Sequence, residues 1–173
     1  MADTDDTIRG WISGHVPDDW FVAAPDITSD RDEIVIVGTL PTPKTADDAS
    51  EETTSAAASA RINKFREESR SARMRIAQDA EHRFGRKVSW GAACGDVQKR
   101  FTTHGVPVMT RLRMPEREVL DILIDAGVAR SRSDALAWCV RLVGRHQSDW
   151  LQELREAMTR VEQVRAGGPD ASA

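Results

Sequence analysis

In the stretch TRLRMPERE, residues 110 to 118, Arg111 and Arg113 stand two apart, with Leu112 and Met114 in the alternate places. A strand points successive side chains to opposite faces. Arg111 and Arg113 would then share a charged face, and Leu112 and Met114 an apolar one. Two guanidinium groups on the free face suit an acidic partner; the plainer reading is a half-buried strand with solvated arginines. Little else in the chain promises reaction chemistry. His15, His82, His104 and His146 show no metal-pair spacing, and no spacing supports Cys94 with His104 as nucleophile and base. Neither a Gly-x-Gly-x-x-Gly run nor a P-loop lysine pattern occurs. Asp18-Asp19 reads as a turn beside Trp20. The expectation is a chain that is not an enzyme, with no cofactor and no metal.

The charge is unevenly placed, and that favours an acidic partner for the middle of the chain. Over 173 residues the net charge is −4. Residues 1–60 carry 13 acids against 3 bases, whereas residues 61–113 carry 13 bases against 5 acids. A local field of one sign matters more to a charged partner than the total does. No apolar run reaches the roughly 18 residues of a membrane span, and the acidic start MADTDDTIRG has no apolar signal core. A cytoplasmic protein is expected, with Cys94 and Cys139 as reduced thiols and a disulfide as the alternative.

The elements that must position Arg111 and Arg113 follow from periodicity and turn chemistry. Residues 1–8 read as loose. Trp20 to Ala24 and Glu33 to Leu40 read as the strands of a hairpin within an N-terminal segment, 1–40, with turn-formers between them. Residues 41–55, acidic and rich in Thr, Ser and Ala, read as a linker. Segment 56–107 should hold a long basic helix and a short strand. Ile62, Phe65, Ser69, Ala72, Ile76 and Ala80 make the helical stripe, Arg66, Arg70 and Arg73 an adjoining one, and Gly85 the stop. Val88 and Trp90 suggest the short strand, and VQKRFTTHGVP reads as a short helix or turn. Helices are expected near 116–126, 132–144 and 149–166, the last in a segment 147–166 ahead of a tail, 167–173. The fold class is α+β.

From Val108 to Gly144 the order is strand, proline, helix, glycine turn, helix. Met114-Pro115 closes the strand. Val119, Leu120, Ile122, Leu123 and Ala126 supply an apolar face, and Gly127 makes the turn. Ser131-Arg132-Ser133-Asp134 opens the second helix, whose inner face holds Leu136, Cys139, Val140 and Val143. This stretch, 108–144 within a segment 108–146, resembles the ribbon-helix-helix family of bacterial DNA-binding proteins. The resemblance covers about 37 residues, under a quarter of the chain. It implies a homodimer whose two strands pair as an antiparallel ribbon in the DNA major groove, in a transcriptional regulator. Met109, Arg111 and Arg113 would be the base-contacting residues, since arginine can donate two hydrogen bonds to guanine. Arg130, Ser131, Arg132 and Ser133, at a helix N-terminus, would contact phosphate.

The sequence departs from that family at Met109, which is no hydrogen-bonding reader, and at Trp138 and Leu142. These two fall on one side of the second helix where polar residues are usual, and with Trp150 they form a packing or partner face. The basic residues Arg66, Arg70, Arg73, Lys99 and Arg100 offer either an accessory phosphate surface or a solvated face. Trp150, Leu154, Ala157, Val161 and Val164 step by four and three, a heptad seam for packing on its own domain or for the dimer. The alternative function is a non-enzymatic adaptor or scaffold. Its ribbon would only dimerise it, and its basic middle would meet a protein or ribosomal RNA. DNA, a second copy and another protein are thus the expected partners, with no membrane among them.

Overall fold

The computed structural model describes residues 2–44, 46 and 48–166; the expected tail at 167–173 lies outside them. The chain is α+β and divides between Pro107 and Val108 into two compact units.

The first unit is a four-stranded sheet with helices on one face. Its elements are α1 (Ala2–His15), β1 (Asp26–Ser29), β2 (Glu33–Thr39), α2 (Glu51–Glu68), α3 (Arg70–Phe84), β3 (Lys87–Cys94) and β4 (Val97–Arg100). The strand order is β1-β2-β3-β4. β2 pairs antiparallel with β1 and parallel with β3, and β3 pairs antiparallel with β4. The β-branched run of β2 suits a central strand. Its Ile34 and Ile36 join Ile27 and Trp90 on the helix-bearing face, where Ile8 and Ile12 of α1, Val16 just after it, and Ile76 and Ala80 of α3 pack on them. Leu40, Ala92 and Cys94 continue that face under Ala58 and Ile62 of α2.

Several expectations need correction here. Residues 2–15 form a helix instead of a loose start, because Ile8, Ile12 and Val16 recur at four-residue steps and need the sheet to cover them. The hairpin exists, but its first strand is Asp26–Ser29 and not Trp20 to Ala24. The Asp30 carboxylate makes the turn by accepting the N–H groups of Asp32 and Glu33, each at 2.8 Å. Trp20 and Phe21 serve as packing groups against Phe65, Trp90 and the close face of Gly38. Residues 97–100 are a strand, turned back from β3 across Gly95-Asp96, with Gly95 at φ +55°.

The expected basic helix is two helices. α2 starts at Ser50, whose hydroxyl accepts from the Thr53 N–H. At Ser69 the hydroxyl donates back to the Phe65 carbonyl, a bond that competes with the helix ladder and marks the break. α3 ends at Gly85, in the left-handed conformation at φ +66°.

The second unit holds segment 108–113, which is neither helix nor strand, followed by α4 (Met114–Asp125), α5 (Arg132–His146) and α6 (Ser148–Ala166). Pro115 sits in the first turn of α4, where a missing N–H costs nothing. Gly127 turns the chain at φ +72°. Leu120, Ala129 and Ala135 form the buried centre, with Leu112, Leu123, Ile124, Leu136 and Cys139 packed around it. Both cysteines are free, Cys94 buried and Cys139 half-buried.

Candidate nucleic-acid interface

Segment 108–113 is the element on which a nucleic-acid reading depends. Leu112 turns into the apolar cluster of the second unit, while Met109, Arg111 and Arg113 are exposed, Met109 at 98%. Only Leu112 follows the expected alternation: Thr110 and Met114, the other positions of the expected apolar face, are exposed, Met114 because it already turns into a helix. No strand among the described residues pairs with 108–113, so the ladder expected over 108–114 is not formed within the chain, and Met114 already belongs to α4. The Leu112 carbonyl accepts from the Arg117 guanidinium at 2.8 Å, and the Arg113 carbonyl accepts from the Arg117 N–H at 3.1 Å. The inner edge of the segment is thus tied to α4. Arg111 and Arg113 make no side-chain hydrogen bond or ion pair among the described residues.

The N-terminus of α5 lies beside this segment, and a groove of about 360 Å³ runs between them, lined by Met109, Leu112, Arg117, Leu120, Arg132 and Ser133 among others. The helix start is closed locally. The Ser131 hydroxyl accepts from the Asp134 N–H at 3.2 Å, and the Asp134 carboxylate accepts from the Arg130 N–H at 3.1 Å. This is a capping-box arrangement with an acid in the first turn. Arg132 donates from two nitrogens to both oxygens of Asp121, each at 2.7 Å. The hydrogen bond and the charge of Arg132 hold the Asp121 carboxyl below its ordinary range, and Asp121 in turn raises Arg132. Of the four residues expected at phosphate, Arg130, Ser131 and Ser133 keep exposed side chains, and Arg132 is committed to Asp121.

The accessory basic surface needs one correction. Arg66, Arg70 and Arg100 are exposed and Lys99 is half-buried, but Arg73 is only 7% exposed. Its Nε donates to the Ser69 hydroxyl, another nitrogen donates to the Arg66 carbonyl, and the guanidinium lies 4.8 Å from the centroid of Phe101. Burial, with the neighbouring Arg66 charge, pushes it down from the usual arginine range. Arg73 is a packing residue at the α2–α3 break.

The apolar faces of the second unit are left open by a single chain. Leu120 is buried, but Ile122 is 65% and Val140 66% exposed, and Val119 and Val143 are exposed as well. Trp138 and Leu142 are half-buried, while Trp150 is exposed. Sequence reasoning missed Arg117 and Asp121. The Arg117 contact lies within five residues, but the Arg132 to Asp121 pair spans eleven and has no local signature. Among the described residues no group of three His, Cys, Asp or Glu side chains is placed to hold a metal ion. No helix among them is long and apolar enough to cross a membrane.

Comparison with known proteins follows the same division of the chain. A family model described as "Rv1265-like protein, N-terminal domain" matches residues 6–100. The chain belongs to the Rv1265-like family. A second model, "Mb1296 C-terminal domain", matches residues 113–165 of this Rv1265-like chain. Its relatives include Rv1265 of Mycobacterium tuberculosis and Mb1296 of Mycobacterium bovis. Each is 53% identical over 163 residues, which cover 94% of this chain and 70% of the relative. No solved structure matches the Rv1265-like chain.

Proposed function

We propose that this Rv1265-like chain is a homodimeric, cytoplasmic DNA-binding protein, a regulator that reads the major groove with a two-stranded ribbon built from segment 108–113 of each copy. The observation that carries the reading is the state of that segment. It is anchored through Leu112 and the Leu112 carbonyl, and no strand among the described residues pairs with it. An unpaired strand edge is a template for another strand. A second copy supplies one, and the two-stranded product is of a size the major groove admits. Arg111 and Arg113 then stand on the face away from the helices, free to donate to base edges. The same dimer covers Val119, Ile122, Val140 and Val143, each contributing roughly 1.5–3 kcal/mol if fully buried. The proline-led helix, glycine turn and Ser-capped helix of residues 114–146 support the reading; the strand itself would form only with the second copy.

The experiment is to sequence the DNA that copurifies with the full chain and to titrate the recovered duplex by fluorescence anisotropy at several salt concentrations. Salt-dependent binding with a base preference that Arg111→Ala relaxes supports the reading. A full chain that binds no duplex above background sinks it. The second reading, a scaffold that uses the ribbon only to dimerise, is favoured by the α5 N-terminus. There Asp134 closes the cap and Asp121 holds Arg132, which weakens the phosphate anchor a DNA-binding helix start would offer. On that reading the dimer persists and DNA binding is absent.

A further inference from the structure

Helix α6 carries Trp150, Leu154, Ala157, Val161 and Val164 at alternating steps of four and three, and every one of them is exposed. The helix has no buried residue at all, and Leu151 alone of its apolar side chains is half-buried. A stripe of this length that covers nothing in its own unit is an unpartnered face. Its flanks are informative. Glu153 and Arg160 line one side of the seam; Leu151, Met158 and Arg165 line the other.

We infer that α6 pairs antiparallel with α6 of a second copy. The two helix directions make opposite demands on the flanks. In a parallel pair, each residue on the first flank faces the residue five further on in the other helix's opposite flank. Arg160 would then meet Arg165 of the second copy, twice over, and Glu153 would meet Met158. In an antiparallel pair like flanks face each other. Glu153 then meets Arg160 of the second copy, and its two-fold mate repeats the contact. On the other side Leu151 meets Met158, extending the apolar seam. The register that aligns these charges also stacks Trp150 against Val161 and Leu154 against Ala157, so each large residue faces a smaller one. Shifting it by one heptad sets Arg160 against Arg160 of the second copy in one direction and Glu153 against Glu153 in the other. The antiparallel alignment is therefore the one in which charge and packing agree. It engages only residues of α6 and does not rest on DNA binding. It stands or falls apart from the ribbon, since the ribbon uses residues 108–113 and leaves the flanks of α6 untouched.

The test is a disulfide trap in the full chain. Glu153→Cys and Arg160→Cys are introduced together with Cys139→Ala, Cys94 being fully buried. Within one helix positions 153 and 160 lie about 10.5 Å apart, too far for a disulfide, so a bond between them has to join two copies. Mild oxidation is expected to convert most of the chain to a covalent dimer. Its peptide map should show the 153-to-160 linkage at no less than ten times the yield of any dimer formed by either single cysteine. The outward pair Gln152→Cys with Thr159→Cys is expected to stay monomeric on a denaturing gel. A second route leaves the helix nearly native: Arg160→Lys treated with a carbodiimide should give an interchain amide to Glu153. The inference is overturned if a chain with wild-type circular dichroism gives no covalent dimer by either route. It is also overturned if links between like positions outnumber the 153-to-160 link. Because neither readout involves DNA, a failed trap beside intact DNA binding overturns the helix pairing alone.

Discussion

Arg132 in the first turn of α5 holds both carboxylate oxygens of Asp121 on α4, each at 2.7 Å. The pair ties the two helices of the second unit together at the end nearest segment 108–113. It also makes that unit sensitive to acid. The Asp121 carboxyl is depressed, first by the hydrogen bond from Arg132 and then by its charge. Its stabilising contribution is therefore fully present above the ordinary carboxylate pKa of about 3.9 and is lost as pH falls through the depressed value. Melting temperatures measured from pH 6 down to pH 2 (about the span of carboxylate titration) should fall more steeply for the wild type than for Asp121→Asn. Parallel curves would show that the pair adds nothing to folding.

The same pair restrains the electrostatics of the proposed DNA face. Asp121→Asn releases Arg132, and one freed phosphate contact should steepen the dependence of log affinity on log salt by about 0.9. Arg132→Ala should change that slope little, because the wild-type guanidinium is already occupied. Arg111→Ala or Arg113→Ala, by contrast, should cost about 1–3 kcal/mol on a cognate duplex and relax preference at one position. Titrations of these four variants across salt separate reading from anchoring. Equal losses on every sequence would remove Arg111 and Arg113 from base contact.

Assembly can be tested through two side chains that a monomer would expose. Ile122 and Val140 are each about two-thirds exposed in one chain, so a charge there would be nearly silent in a monomer. In a dimer that buries them, Ile122→Asp or Val140→Asp should shift sedimentation at micromolar concentration from dimer to monomer and lower the melting temperature. A dimer unchanged in either variant would place the interface elsewhere.

Arg73 gives a prediction about the first unit. It is buried without a carboxylate partner, hydrogen-bonded to the Ser69 hydroxyl and the Arg66 carbonyl. Arg73→Ala leaves those acceptors without their donor and uncovers Phe101, which should cost about 1–3 kcal/mol. Arg73→Met keeps most of the volume and the cover over Phe101 but leaves the same two acceptors without their donor. Urea melts should therefore place Arg73→Met below the wild type and above Arg73→Ala. Because Arg73 is enclosed, neither change should alter the salt dependence of DNA binding.

Gly38 is the tightest steric point in the sheet. A Cβ built there would lie 2.1 Å from the Phe21 ring. Gly38→Ala has to push that ring off its contacts with Trp20 and Phe65, and overpacking of this kind costs about 1–3 kcal/mol. Chemical denaturation should show that loss for Gly38→Ala and a partial recovery for Gly38→Ala with Phe21→Leu.

What could be read from the sequence was whatever repeats locally. The three C-terminal helices, the β2 strand and the Gly85 stop each carry their own period or punctuation, and the structure has them within a few residues. The Gly95-Asp96 turn is a two-residue hairpin signal, but VQKR after it has a single apolar residue and no alternation to mark a strand. α1 was hidden because Ile8 and Ile12 sit in an acidic, glycine-containing stretch, and only the sheet they cover makes it a helix. The burial of Arg73 was hidden for the opposite reason. Its spacing with Arg66 and Arg70 placed all three on one face, but the break at Ser69 turns the helix between them. At the candidate interface, the alternation of Leu112 between Arg111 and Arg113 was legible. The grip of Asp121 on Arg132 joins residues eleven apart and depends on how two helices pack.

The parallel pairing of β2 with β3 has a consequence for the order in which the molecule forms on the ribosome. The two strands are separated by the whole of α2 and α3, so the sheet cannot close until β3 has emerged. Until then the β1–β2 hairpin and α1 have only each other, and an isolated hairpin is marginal in water. Closing so long a loop is also slow. The second unit has the reverse timetable: it emerges last, and its contacts within one chain are local and quick to form. Chains released early, truncated at residue 86, should be protease-sensitive throughout. Chains ending near residue 107 should carry a resistant first unit.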